Sequence, residues 1–229
     1  MDANHFLNLR LDMIANFYQL GSAPFRAITA AIEAKTPPYD KASTGDSPEP
    51  PCLEKWQQAQ DSVDLLGAVS VSLLAGALQV FLDTMVKLYG DAEEFSKASK
   101  KLGWWGKHQS YFKGLGLDFG QSGADLELLS AMILARNSVM HQEGLTNSVP
   151  VFRDKDMREM KSEFFISPFE HEMLKGLDEG EEDSFLFAPN VHVDEAKLTQ
   201  AITEVRTLTR WLESAIWAKL QQQNPQTQP

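Results

Sequence analysis

Leu126-Glu-Leu-Leu-Ser-Ala-Met-Ile-Leu-Ala-Arg136-Asn-Ser-Val-Met-His141-Gln-Glu-Gly144 is the stretch on which the fold turns. Leu126, Leu128, Leu129, Met132, Ile133 and Val139 recur at three- and four-residue steps and mark the buried side of an amphipathic helix. Ser122 and Asp125 have the spacing of a capping box ahead of it. The apolar run carries an arginine and a histidine to its far end. Those two groups are the minimum needed to cleave RNA without a metal, because a guanidinium can hold the charge of the phosphorane while an imidazole moves the proton of the 2′-hydroxyl.

On an ideal helix Arg136 and His141 lie about 140° apart in azimuth, whereas Asn137 and His141 differ by only about 40°. A straight helix therefore aligns Asn137 with His141 but not Arg136. Either the helix end is distorted, which Gly144 would ease, or a two-fold dimer brings both copies of the motif into one cleft. The dimer has a chemical advantage, since transesterification needs a base for the 2′-hydroxyl and an acid for the departing 5′-oxygen.

Outward from this helix the chain reads as helical throughout. Phe6, Leu9, Met13, Ile14, Phe17 and Leu20 form an apolar helical stripe from about His5 to Leu20, which Gly21 ends. Ser22 then caps a second segment, with Pro24 in its first turn, running to about Ala34. Residues 37–51 are rich in proline and read as an exposed loop. A long central helix follows from Leu53 to Tyr89, stopped by Gly90, with Asp91 capping a short helix to about Leu102. Gly103-Trp104-Trp105-Gly106 reads as a turn before a brief helical piece ending at Gly114. Residues 145–193 lose periodicity. There, Glu163 to Ser167 and Ser184 to Ala188 could pair as a small ribbon around a helix from Pro168 to Leu177. A last helix, capped by Asp194, spans about Ala196 to Leu220, and the tail 223–229 reads as disordered. The expectation is one all-α domain over residues 1–222, a helical bundle with a long central helix and a small irregular insertion before the last helix.

A formal net charge of -11 argues against non-specific coating of nucleic acid. One local exception exists. Between Phe95 and Leu117 stand Lys97, Lys100, Lys101, Lys107, His108 and Lys113 with no acidic residue, interleaved with Trp104, Trp105, Tyr111 and Phe112. Of these, Lys100, Lys101, Lys107 and His108 are the candidate RNA-binding residues, with aromatic faces on which bases could stack. The alternative is a solvated face over core aromatics.

Leu65 to Leu82 contains no charged residue, so a membrane span must be weighed. Against it stand Ser70, Ser72 and Gln79 within the run and Asp61, Asp64 and Asp83 at its flanks, where basic anchors would be expected. Ala68, Ser72 and Gly76 make a small-residue groove into which another helix can pack. A bundle helix is the expectation, with no membrane partner. The lone Cys52 and the absence of a basic, then apolar, N-terminal run point to the cytoplasm. Glu170-His171-Glu172 and His192-Val193-Asp194 lack metal-site spacing, so no metal and no cofactor are expected.

The stretch from Leu126 to Gly144 resembles the signature helix of the HEPN superfamily, the higher eukaryotes and prokaryotes nucleotide-binding proteins. Its hallmark is an arginine, four to six residues, then a histidine, often with a polar residue after the arginine, where Asn137 stands. The long apolar helix upstream, the Trp104-Trp105-Gly106-Lys107 turn and a closing helix bearing Trp211 agree in outline. The resemblance is sharp over residues 60–144 and only architectural beyond. It implies an all-α bundle of HEPN type that homodimerises around this helix and cleaves RNA in the dimer cleft without metal, often in toxin-antitoxin or antiviral defence with a separate antitoxin protein. Carried over by residue, Arg136 binds the phosphate and stabilises the transition state, His141 is the general acid/base, and Asn137 is their polar support. The rival expectation is a non-catalytic HEPN module that binds a protein or a nucleotide.

Overall fold

The computed structural model describes residues 2–40, 52–97, 102–142, 149–175 and 188–223. These residues are all-α. In chain order the helices are α1 (Ala3–Glu33), α2 (Leu53–Tyr89), α3 (Ala92–Lys97), α4 (Gly103–Gly114), α5 (Leu126–Met140), α6 (Asp154–Glu159), α7 (Pro168–Lys175) and α8 (Glu195–Gln223). A 3-10 turn, Phe119–Gln121, precedes α5.

Helix α2 is the axis of the bundle. Its Val71, Leu74, Leu78, Phe81, Leu82 and Met85 are buried against α1, α5 and α8. Each such side chain contributes roughly 1.5–3 kcal/mol of transfer free energy. It is the one described helix long and apolar enough to cross a membrane, yet 56% of its apolar window is buried inside the protein, as in the core helix of a soluble bundle. Gly67 sets how closely the chain can approach it. A Cβ there would lie 2.3 Å from the Val193 carbonyl oxygen and 2.9 Å from the Val193 Cβ.

Helix α1 runs antiparallel to α2, with Trp56 donating to Glu33 at 2.9 Å at one end and Ala3 and Leu7 near Phe81 at the other. It is one continuous helix through Gly21 and Pro24, not two segments. The missing proline bond costs about 3 kcal/mol in a helix interior. Unbroken packing along α2 offsets it: Tyr18 and Ser22 are buried, and Leu66 sits against Gly21. The stripe read from the sequence is also not the buried one. Of its six residues only Ile14 is buried, and the inner row is Ala3, Leu7, Leu11, Ile14 and Tyr18. Phe6, Leu9, Met13, Phe17 and Leu20 face outward.

Other boundaries shift for local reasons. Gly103 adopts φ +62, a left-handed conformation that lets the chain enter α4 directly, so the two tryptophans form a helical turn. Asp125, not Ser122, caps α5, its carboxylate accepting from the N–H groups of Glu127 and Leu128. No ribbon forms through Glu163 to Ser167; the described part of the insertion holds a single antiparallel bridge, Val151 with Asn190. Residues Ser184 to Phe187, residues 41–51 of the expected proline-rich loop and residues 224–229 lie outside the described residues.

The short α6 anchors the end of α5. The Ser138 hydroxyl donates to the fully buried Asp156 at 2.8 Å, and Arg153 grips the same carboxylate through two bonds of 2.6 and 3.0 Å. This pairing fixes the last turn that carries Arg136 and Asn137. Asp156→Ala is expected to lower unfolding free energy by about 3 kcal/mol, read as a fall in urea midpoint, because a partly buried guanidinium loses its partner. Gly67→Ala should cost about 1–3 kcal/mol through overpacking. Gly76→Ala, where a Cβ meets nothing within 4 Å, should instead gain about 0.5–1 kcal/mol in the same assay.

Candidate functional site

Helix α5 ends at Met140, and His141 leaves it at φ -127 and ψ 39, its N–H still donating to the Asn137 carbonyl at 3.1 Å. The helix thus ends one residue before the histidine, with Arg136 and Asn137 still inside it. Among the described residues no hydrogen bond joins Arg136 to His141 within one chain. The His141 imidazole is exposed and makes no hydrogen bond or ion pair among the described residues. Arg136 is half-buried, with Nη1 donating to Asn137 Oδ1 at 3.4 Å, a long contact that nonetheless ties these two neighbours.

Arg136 emerges at a groove between three helices. The cavity there measures about 680 Å³ and is lined by Met13, Ile14 and Phe17 of α1, Leu73 and Val80 of α2, and Val139 and Met140 of α5, with Arg10 and Arg136 at its edges. That volume falls within the range of ligand-sized clefts. Beside it lies a second hollow of about 310 Å³ that shares Arg10, Ala77 and Val80 and adds Phe6 and Phe81. His141 lines neither.

The rim of this groove is apolar and uncovered. Phe6 is 59% exposed, Met13 70% and Met140 60%. The small-residue run of α2 opens here. Ala68 is buried inside, Ser72 returns its hydroxyl to the Ala68 carbonyl at 2.9 Å, and Gly76 faces open space.

The basic stretch comes apart in the structure. His108 is 1% exposed, with Nδ1 2.7 Å from the Trp104 carbonyl oxygen and Nε2 3.0 Å from the Asp83 carboxylate. It ties α4 to α2 and is not on an RNA-binding surface. Trp105, Tyr111 and Phe112 are buried beside it, so these aromatics are core. Lys107 lies over the Phe95 ring at 4.1 Å. Lys100 and Lys101 lie outside the described residues.

Other titratable groups have structural partners. His171 pairs with Glu163, Glu170 accepts from the Asn190 N–H at 2.9 Å, and His192 Nδ1 is 3.4 Å from Asp64. Asp194 caps α8 by accepting from the Lys197 N–H at 2.8 Å. Burial pushes the Lys197 ammonium below the usual lysine range, and it donates to the Ile166 carbonyl at 2.7 Å. Burial likewise pushes the Tyr18 phenol up, partly offset by the Arg26 guanidinium at 2.9 Å. Among the described residues no three His, Cys, Asp or Glu side chains gather as a metal-ligand group.

Sequence reasoning missed Arg10. Its signal was a lone cation set inside the outer apolar stripe, between Leu9 and Met13. It also missed the Ser138, Asp156 and Arg153 network, which joins residues too far apart for a local pattern. No protein-family model, curated protein or solved structure matches this chain.

Proposed function

We propose that this protein is a metal-independent endoribonuclease that works as a homodimer, its copies meeting over the groove of α1, α2 and α5. The observation that carries the reading is the uncovered apolar stripe of α1 beside the emerging Arg136. A monomer leaves Phe6, Leu9, Met13, Phe17 and Leu20 in water, and an exposed apolar patch of that kind marks an interaction surface. A two-fold contact over this face would set two Arg136 and two His141 around one axis. This meets the requirement that a single chain leaves open, since His141 lies outside the groove that Arg136 lines.

The chemistry is transesterification. The 2′-oxygen attacks phosphorus, forming the 2′-O–P bond as the P–O5′ bond breaks. His141 of one copy takes the 2′-hydroxyl proton, and His141 of the partner subunit gives a proton to O5′. Arg136 binds the non-bridging oxygens, held by Asn137, and stabilises the charge that grows on them. The products are a 2′,3′-cyclic phosphate and a 5′-hydroxyl end. Such an activity suits a cytoplasmic toxin or antiviral effector held in check by a separate antitoxin protein. A non-catalytic binding module of the same fold is the second reading, favoured by the position of His141 outside the groove.

Purified protein given RNA in excess chelator should cleave it, and Arg136→Ala or His141→Ala should cut the rate by about 10²–10⁴-fold with helicity unchanged by circular dichroism. Intact RNA after incubation with the wild-type protein would remove the nuclease reading and leave the binding module. The rate should pass through a maximum in pH, because one imidazole must start neutral and the other protonated. Met13→Asp should keep the protein monomeric in sedimentation with a non-cleavable RNA analogue and abolish cleavage, while the thermal midpoint of the monomer stays where it was.

A further inference from the structure

Arg10 sits in the middle of the uncovered stripe of α1 and lines both hollows, one shared with Arg136 and the other with Phe6 and Val80. Among the described residues neither guanidinium has a carboxylate partner, and no Asp or Glu lines either hollow. Three other arginines near α1 and α5 are neutralised: Arg26 by Glu195, Arg153 by Asp156 and Arg206 by Asp12. Asp12, the acid nearest Arg10 in sequence, is thus already engaged.

A two-fold contact over this face brings four guanidiniums together in an apolar, weakly screened setting. Like charges there repel more strongly than in water. A self-complementary interface presents the same surface from each copy, so the linings of the groove bring more guanidinium and no carboxylate. An anion held between the copies would supply the missing charge.

We infer that this anion is the RNA substrate, that Arg10 is a second phosphate-binding side chain beside Arg136, and that the dimer closes on RNA rather than ahead of it. The inference rests on the ribonuclease reading above. A single strand offers a phosphate at every nucleotide, so guanidiniums on α1 and α5 can hold neighbouring phosphates of one backbone. Substrate binding and assembly are then one linked equilibrium, and a free monomer is the resting form.

The test uses the His141→Ala protein with a single-stranded oligoribonucleotide in chelator, followed by sedimentation velocity and by binding at several salt concentrations. RNA should shift this protein from monomer to dimer. Adding Arg10→Leu should weaken RNA binding about tenfold and make the slope of log K against log salt shallower by about 0.7 for each phosphate released. The same change should tighten RNA-free dimerisation, because it removes two like charges and adds apolar surface. Arg10→Lys should keep most of the salt slope. If Arg10→Leu leaves affinity and slope unchanged while Arg136→Leu lowers both, the role of Arg10 is refuted and the nuclease reading stands. A dimer as tight without RNA as with it refutes closure on the substrate. A parent protein that binds no RNA at low salt removes both readings together.

Discussion

The close seat of the chain against α2 is the constraint from which the rest of the structure follows. Gly67 lets Val193, just before α8, come within a distance that any side chain would forbid. That contact draws the last helix onto the central one, and α5 packs on the same axis. With three neighbours committed, α2 can bury Leu74, Leu78 and Leu82 completely, and 56% of its apolar window is covered by the protein itself.

Helix α1 carries more apolar surface than one packing face can use. Its inner row, Leu7, Leu11, Ile14 and Tyr18, meets the bundle, while the outer row of Phe6, Leu9, Met13, Phe17 and Leu20 stands in solvent. Burying that second row within the chain would need a further helix on this side. Arg10 and Arg136 lie in the same exposed region without carboxylates, so the face asks for both apolar cover and negative charge. On the proposed reading, a second copy and an RNA strand together would satisfy those demands. The Ser138, Asp156 and Arg153 network holds the Arg136 end of α5 firm enough for such a site to have a defined shape.

Long uninterrupted patterns were legible. The limits of α2, the stop at Gly90, the caps Asp91 and Asp194 and the course of α8 all follow from periodicity and capping chemistry, because those signals are local. Breaks in pattern misled. Gly21 and Pro24 read as a boundary, yet continuous packing on α2 outweighs one lost hydrogen bond. The paired tryptophans after Gly103 read as a turn, yet a single positive φ admits them to a helix. His108 read as a surface cation because its neighbours are lysines, although Asp83, 25 residues earlier, claims it for the interior.

By itself the sequence determined that the chain is helical and where α2 and α8 run. Those properties depend on residues three or four apart, which meet on a helix whatever surrounds it. The tertiary structure alone decided which stripe of α1 faces water, that Arg10 shares a groove with Arg136, and that His108 is core. Each of these depends on partners dozens of residues distant, and periodicity shows that a face is apolar without showing what covers it.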